Sequence, residues 1–378
     1  MSQFIEFDPS KQPRCKVELH AHLDGAVRLT TIWELAEKKG IHLDVKSLED
    51  LYDSCCIKSP SCLADFLKPF SIFSPVVVGD PEAIERVAYE FCEEAAKEGV
   101  LYSEVRYCPH LYSSTYSPIK VSSGSVSPRK VVVCVNRGLA RGSVDFKITV
   151  RSILCCFRPN PEWSSEILDL CLEFQHCGVV GIDVAGDEAT GLAAPEIVSV
   201  FRAAASHGLH RTAHAGEAGP AENVRVAVND MFAERIGHGY HVLEDHEIYA
   251  NCLEKRVHFE TCPYSSVLTG SVPLTDAKHP IVRFAEDGAN FSISRDDPTI
   301  IQKTLDQEYD FLRGFGLKDV HFARANFNAV RSCFLPDDEK KLLMQKMLEV
   351  YGYYEQLPED RNDLECILPK AFSGKGDL

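Results

Sequence analysis

Short apolar segments alternate with longer amphipathic segments along most of the chain. The apolar segments predict eight strands, at Lys16–Leu23, Val100–Tyr107, Phe146–Leu154, Val179–Ala185, Arg211–Ala215, Arg235–His238, His258–Thr261 and Ala289–Ser294. Between them, apolar residues recur at helical spacing, as in Glu82–Glu98, Ser164–His176, Ala194–His207 and Ala221–Phe232. Repeated alternation of strand and helix is typical of a parallel sheet, and eight repeats predict an α/β fold of the (β/α)8 TIM-barrel type. A Rossmann-type sheet is the alternative, but no Gly-x-Gly-x-x-Gly follows an early strand.

Two regions of the sequence are additional to a minimal (β/α)8 barrel. The interval 24–99, between the first two predicted strands, is far longer than one crossover helix requires. It contains an apolar stripe at helical spacing that predicts either core packing or a lid over the barrel mouth: Leu63, Phe66, Leu67 and Phe70. Pro69 interrupts this pattern and should kink or end the helix. Near the C-terminus, Leu342–Tyr354 predicts a terminal helix, so we expect one domain over 1–355 and a polar, partly disordered tail over 356–378.

Composition excludes several classes of protein. The 378 residues are 45% hydrophobic and 25% charged, as in soluble globular proteins, and the formal net charge of -16 argues against nucleic-acid binding. No apolar run is long enough to span a bilayer, and the N-terminus lacks the basic-then-apolar pattern of a signal peptide. The 15 cysteines form no Cys-x-x-Cys repeat and predict free thiols. We therefore expect a cytoplasmic protein.

The first predicted strand carries the strongest chemical signal. It belongs to the segment Lys-Val-Glu-Leu-His-Ala-His-Leu-Asp-Gly at 16–25, where His20 and His22 are two residues apart. On a strand, residues at this spacing face the same side, so the two imidazoles can bind one metal ion. In isolation, two polar residues at a strand edge would be the simpler interpretation.

Further polar residues follow the ends of the other predicted strands, where barrel enzymes place their chemistry. They are Asp183 with Gly186–Glu188, Thr212–Glu217, Gly237–Gly239 and Arg295–Pro298. Among them, His214 and an aspartate complete a set of three nitrogen ligands and one oxygen ligand with His20 and His22. That set suits Zn²⁺, with Fe²⁺ or another divalent metal as alternatives, and leaves room for a reactive water.

Taken in order, five motifs resemble the adenosine deaminase family, metal-dependent purine hydrolases of the amidohydrolase superfamily. They are the 16–25 segment, Ala-Gly-Asp-Glu at 185–188, His-Ala-Gly-Glu at 214–217, Gly-His-Gly at 237–239 and Asp-Asp-Pro at 296–298. Segments at 151–156, 262–270 and 332–336 extend the resemblance to the cytosolic enzymes of animals. The resemblance runs from about Lys16 to about Tyr354.

The resemblance implies one Zn²⁺ per chain, held by His20, His22, His214 and Asp296. Glu217 would supply a proton to N1 of the purine, and His238 would orient the attacking water. The leaving amine would receive its proton through Asp296 or His238.

The resemblance also implies how a purine nucleoside binds. Asp297 would hydrogen-bond N7, the backbone N–H of Gly186 would face N3, and Asp24 would bind a ribose hydroxyl. Asp183 would steady a metal ligand. A hydrophobic gate would be formed by Leu63, Phe66, Leu67 and Phe70.

Two residues depart from the family pattern. Pro69 puts the geometry of the gate in question, whereas Arg295 should point away from the pocket if Asp296 points in. The implied protein is a monomer that acts on a small purine nucleoside, without nucleic-acid partners or a membrane span.

Three alternatives stay open from the sequence. The first is a deaminase of a phosphorylated purine such as N6-methyl-AMP or AMP, which Asp24 disfavours because a carboxylate repels phosphate. The second is an amidohydrolase that acts on an amide or ester. The third is a non-catalytic binding or growth-factor-like relative, which should have lost metal ligands.

Overall fold

The structure, a computed structural model, describes residues 15–116, 125–188, 194–273 and 278–351. In these ranges eight strands pair in parallel and in chain order. A parallel bridge between Ala21 and Asp296 joins the last strand to the first, and the His22 N–H donates to the Asp296 carbonyl at 2.8 Å. The sheet therefore closes into a barrel, and the predicted (β/α)8 fold is confirmed. The strands are β1 Lys16–His22, β2 Val100–Tyr107, β3 Thr149–Phe157, β4 Val179–Ala185, β5 His210–Ala215, β6 Arg235–His238, β7 His258–Thr261 and β8 Phe291–Ile293.

Helices surround the barrel and cover its ends. In the described part of the chain they are α1 Leu29–Lys39, α2 Leu48–Cys55, α3 Leu63–Phe66, α4 Phe70–Val77, α5 Pro81–Lys97, α6 Pro109–Tyr112, α7 Pro128–Phe146, α8 Ser164–Phe174, α9 Pro195–Ser206, α10 Ala221–Asn229, α11 His246–Glu254, α12 Pro263–Leu268, α13 Pro280–Glu286, α14 Pro298–Ile301, α15 Leu305–Arg313, α16 Asp319–Ser332 and α17 Asp337–Tyr351. The described residues also form 3₁₀ segments at Pro161–Trp163, Gln175–Cys177 and Tyr240–Glu244.

Alternation along β1 separates two environments. Val17 and Leu19 pack with α16 and α17, and Ala21 joins the main hydrophobic core. Glu18 and His20 are equally buried but contact charged side chains of other strands. Since successive side chains of a strand face opposite sides, the polar residues of β1 share the barrel interior, as the His-x-His spacing predicted.

One predicted strand boundary is wrong. The apolar run Phe146–Leu154 was expected to be a strand, but Phe146 ends α7 and the strand spans Thr149–Phe157. Lys147, with a φ of 57°, occupies the left-handed conformation that ends the helix. Packing extends α7 into the apolar run, since the Phe146 ring lies 5.1 Å from the Tyr89 ring of α5. Periodicity alone does not make this distinction in a short segment.

The long insertion after β1 forms α1–α5, and Pro69 divides its apolar stripe. α3 stops at Phe66, and α4 begins at Phe70 with Pro69 as its N-cap residue. The predicted interruption at Pro69 is therefore confirmed. The stripe is divided between two short helices, with Leu67 in the turn between them. The predicted tail, 356–378, lies outside the described residues, and the single domain over 1–355 stays a prediction.

The described cysteines and helices bear on the predictions of free thiols and of no membrane span. Every cysteine in the described ranges is a free thiol, and most of these thiols are buried. None of the described helices is both long enough and apolar enough to cross a membrane.

Helices α5 and α7 pack closely through a glycine. A Cβ added at Gly138 would lie 2.8 Å from the Ala88 Cβ and would also press on the Glu85 carbonyl. The Glu85 carbonyl belongs to the backbone of α5, and the Ala88 Cβ is bonded directly to that backbone. Neither can move aside without shifting the helix.

We predict that Gly138→Ala destabilises the protein. Alanine favours a helix over glycine by about 1 kcal/mol, but overpacking of a close contact costs about 1–3 kcal/mol. Urea unfolding should therefore show a net loss of stability. Val144→Ala, at an exposed site on the same helix, is the control and should change little. A more stable Gly138→Ala protein would mean that the helices are not in close contact.

Candidate active site

A cavity of about 770 Å³ lies where the strands end and the insertion covers them. Its wall combines residues that follow β1, β4 and β8, such as Asp24, Gly186 and Asp297, with residues of α3 and α4. This volume is in the range of pockets that hold small molecules. The carboxyl ends of the barrel strands are also where barrel enzymes bind their substrates.

The four predicted metal ligands meet at the base of this cavity. One ligand atom from each of His20, His22, His214 and Asp296 lies within 4.8 Å of all the others. The Nε2 atoms of His22 and His214 are 3.1 Å apart. Asp296 Oδ1 lies 3.2 Å from His20 Nε2 and 3.4 Å from His22 Nε2.

The surroundings of the imidazoles fit a metal ion. His20 Nδ1 lies 2.8 Å from Glu260 Oε2, and His214 Nδ1 lies 3.0 Å from Asp183 Oδ2. A carboxylate at Nδ1 keeps the proton on that nitrogen and leaves the Nε2 lone pair available. The buried Nε2 of His20 makes no well-aligned hydrogen bond among the described residues, and its close neighbour is the carboxylate of Asp296 at 3.2 Å. The Nε2 atoms of His22 and His214 face each other at 3.1 Å, so one cation between them could bind both imidazoles.

Burial favours the neutral imidazoles that bind metals. It lowers the pKa of His22 well below its ordinary value, and it also lowers the pKa of His214. Since only a deprotonated Nε2 can bind a cation, both side chains are in the state that binding requires.

Glu217 and His238 lie beside the metal cluster. His238 Nε2 is 3.5 Å from Glu217 Oε2 and 3.8 Å from Asp296 Oδ2. Burial, and then the charges of Asp296 and Glu188, raise the pKa of Glu217 well above its ordinary value. Burial lowers the pKa of His238 well below its usual value. Burial therefore favours the protonated form of Glu217 and the neutral form of His238, and the two side chains face the same space.

The residues predicted to bind a nucleoside also line the cavity. Burial, with the nearby charges of Asp296 and Asp24, raises the pKa of Asp297 well above its ordinary value. Burial also raises the pKa of Asp24 to about 6. Gly186 has a φ of 103°, a conformation that favours glycine, and it reaches the cavity wall. The four gate residues lie on this wall as well, namely Leu63, Phe66, Leu67 and Phe70.

Arg295, one of the two departures from the family pattern, does not disturb the cavity. Its guanidinium donates to Glu18 and Glu98, at distances of 2.6–2.9 Å, and Arg295 is not part of the described cavity wall. The expected orientation away from the pocket agrees with these contacts.

Sequence reasoning predicted Asp183 as a support of a metal ligand but missed two other charged residues beneath the metal cluster, Arg106 and Glu260. Arg106 donates to Asp183 Oδ2 at 2.8 Å and to Glu260 Oε2 at 2.6 Å. Both carboxylates support an imidazole of the cluster, so Arg106 connects the supports of His20 and His214. The available signal was a charged residue inside a predicted buried strand, in Val100–Tyr107 and in His258–Thr261.

An aromatic wall was also missed. The rings of His110 and Trp163 stack at 4.8 Å with planes 7° apart, and Tyr116 contacts both rings. All three line the cavity. The three residues come from three separate segments, so no local sequence pattern joins them.

Comparison with known proteins agrees with the motif resemblance. A family model described as adenosine deaminase matches residues 15–350. Adenosine deaminase of Danio rerio is 46% identical over 342 residues, which cover 89% of this chain and 95% of that protein. Adenosine deaminase of Bos taurus is 43% identical over 358 residues, which cover 93% and 97% of the two chains.

A solved structure extends this similarity to the fold. Adenine deaminase from Arthrobacter aurescens superposes with a TM-score of 0.79 at 27% identity, covering 89% of this chain and 99% of that one. The family model and the full-length relatives cover the barrel strands and every residue of the metal cluster. The chain therefore belongs to the adenosine deaminase family.

Proposed function

We propose that this protein is a zinc-dependent enzyme that hydrolyses adenosine, and 2′-deoxyadenosine, to inosine or deoxyinosine and ammonia in purine salvage and catabolism. The observation that carries the proposal is the cluster of three imidazoles and Asp296 at a cavity that the buried carboxyls of Glu217 and Asp297 also line. Full-length relatives named adenosine deaminase support the choice of substrate. By the family resemblance, we infer a monomeric and cytoplasmic enzyme.

The four clustered side chains would hold one Zn²⁺. Three nitrogens and one oxygen suit this ion better than the softer or harder metals. A bound zinc ion lowers the pKa of water to about 7 and so supplies a nucleophile at neutral pH. His238, whose Nε2 lies within 4 Å of Asp296, is placed to orient the attacking water.

Glu217 would act as the general acid. Attack of water at C6 makes that carbon tetrahedral, and the ring nitrogen N1 must gain a proton as this occurs. A carboxylic acid held in its protonated form by burial can supply that proton near neutral pH. The leaving amine then needs a proton, which His238 or Asp296 would relay.

The remaining cavity residues would fix the nucleoside. N7 of the purine accepts hydrogen bonds, so it requires a donor, and a protonated Asp297 is one. The Gly186 N–H would face N3, and Asp24 would accept a hydrogen bond from a ribose hydroxyl. The apolar gate residues of α3 and α4 would exclude bulk water from the reaction.

The alternatives are less well supported by the cavity. The N6-mAMP deaminase of Arabidopsis has a TM-score of 0.76 at 26% identity, covering 89% of this chain and 98% of that one. A phosphate needs cationic partners, yet the described cavity wall contains Asp24, Glu217, Asp296 and Asp297 and neither lysine nor arginine. A purine also accounts for Glu217 and Asp297 better than an amide or ester does. A non-catalytic relative would have no need for the complete cluster.

The first prediction is that His214→Ala lowers the amount of bound zinc. Removal of one of four ligands weakens binding, so zinc per chain, measured by atomic emission after dialysis, should fall well below the wild-type value. His210→Ala, on the same strand but outside the cluster, is the control and should keep its metal. Full zinc occupancy in His214→Ala would exclude this residue as a ligand.

The second prediction is that Glu217→Gln abolishes most of the activity but not the zinc content. Glutamine keeps the shape and hydrogen bonding of glutamate but does not donate an acidic proton to N1. General acid catalysis contributes roughly 10²–10⁴-fold, so kcat for adenosine should fall by at least that factor. Glu222→Gln, at the exposed surface of α10, is the control. A near-normal kcat would exclude Glu217 as the general acid, and lost zinc would place it in the metal site.

The third prediction tests the substrate. Adenosine should be converted to inosine, followed by the change in purine absorbance, with a kcat/KM that exceeds that for AMP by roughly 10³-fold or more. An unpaired phosphate in an acidic pocket costs several kcal/mol, and each 1.4 kcal/mol corresponds to about tenfold. Comparable values would favour the nucleotide deaminase, and no turnover of adenosine by zinc-loaded protein would refute the proposed function.

A further inference from the structure

Glu188 makes an unusual set of contacts beside the cavity. It follows β4, its side chain is 2% exposed, and it is not part of the described cavity wall. Its carboxylate accepts five hydrogen bonds, from the backbone N–H groups of Gly216 at 2.7 Å, Glu217 at 2.9 Å, Ala218 at 3.0 Å and Gly219 at 2.9 Å, and from Asn223 Nδ2 at 2.8 Å.

The four N–H groups belong to consecutive residues of one loop. Successive N–H groups that converge on a point form an anion site, and this one contains a carboxylate of the same chain. Charge-assisted hydrogen bonds are stronger than neutral ones, and burial strengthens them further. The loop connects β5 to α10, and its second residue is Glu217. The backbone that carries the proposed general acid is therefore fixed by Glu188.

The loop is also shaped around this carboxylate. A Cβ at Gly219 would lie 2.7 Å from Glu188 Oε1, and Gly216 has a φ of 67°, where a side chain is strained. Arg158 lies beside this site and donates to the Gly186 carbonyl at 2.9 Å and to the His214 carbonyl at 2.5 Å. Its positive charge favours the ionised form of Glu188 against the cost of burial, so the pKa of Glu188 is lowered.

We propose that Glu188 is a positioning residue for deamination, whose carboxylate holds the loop 216–219 so that the Glu217 carboxyl stands at the purine ring. The inference rests on the proposed function, because it assigns Glu188 a role in the same reaction. Glu188 acts through the loop and does not touch the substrate.

The first test is Glu188→Gln. The amide has one acceptor oxygen in place of two and directs an NH₂ group at N–H donors, so the loop should shift. Displacement of a catalytic group by about 1 Å can cost on the order of 10²-fold, so kcat for adenosine should fall by 10–100-fold. KM should change less, because a displaced proton donor affects the transition state more than substrate binding. Zinc content should stay at the wild-type value. The Glu222→Gln variant described above is the matched control.

The second test is chemical rescue of Glu188→Ala. This variant removes the anion but leaves four N–H groups directed at the space, so added formate should occupy it. We expect kcat to rise several-fold and to saturate with formate concentration. Formamide, a neutral molecule of similar size, should have no effect, and neither compound should raise the activity of wild-type or Glu222→Gln protein. A merely structural role would not produce rescue specific to a carboxylate.

Separate outcomes refute the inference and the proposed function. If wild-type protein deaminates adenosine and Glu188→Gln matches its kcat, Glu188 is not a positioning residue. The same holds if folded Glu188→Ala does not respond to formate. If neither variant folds, Gly219→Ala decides, since its Cβ pushes on Glu188 Oε1, and an unchanged kcat there overturns the inference. If wild-type protein itself does not deaminate adenosine, the proposed function fails first.

Discussion

The ion pairs of Arg106 inside the barrel are the interaction on which the metal cluster depends. This fully buried guanidinium binds Asp183, which faces His214, and Glu260, which faces His20. One cation therefore supports two of the three clustered imidazoles. Loss of one partner of a buried ion pair typically costs about 3–5 kcal/mol, because the other charge is left uncompensated. Because the loss of either ion pair is so costly, both pairs of Arg106 should form together. Their carboxylates then hold the imidazoles in place before any ligand binds.

The pairs of Arg106 belong to a larger charged layer. The second oxygen of Glu260 accepts hydrogen bonds from Arg235 at 2.6 Å and from Thr212 at 2.8 Å, and Arg235 also pairs with Glu104 at 2.6 Å. These residues lie on four different strands, so the layer links the strands through their side chains as well as their backbones. Apolar residues that alternate with them face the helices and supply the hydrophobic core. The outward-facing side chains of the strands therefore contribute to the hydrophobic core, and the inward-facing side chains form the metal cluster and its charged supports.

The sequence predicts those features of the fold and the site that depend on residues close together in the chain. Strand alternation, the His20 and His22 pair and the break at Pro69 all follow from spacing within a few residues. The carboxylates that support the imidazoles cannot be predicted from such spacing, because the contact between His20 and Glu260 joins residues 240 positions apart. Glu188 belongs to a recognised motif, yet its partners lie at the end of another strand. The strand boundary at Thr149 was missed because an apolar run beside a helix reads equally well as either element.

Backbone conformation explains how the two adjacent aspartates that follow β8 reach one cavity. His238 and Asp296 have φ values of 63° and 65°, a left-handed conformation that costs non-glycine residues about 1–3 kcal/mol. In a regular strand, neighbours face opposite sides, so Asp296 and Asp297 could not both line the same wall. The left-handed turn at Asp296 removes that restriction, and both residues do line it. The turn is held by the backbone hydrogen bonds with β1 and by the Ser265 hydroxyl, which donates to Asp296 Oδ2 at 2.7 Å. Local strain, offset by these contacts, is thus what places a metal-cluster carboxylate beside a group that would bind the purine.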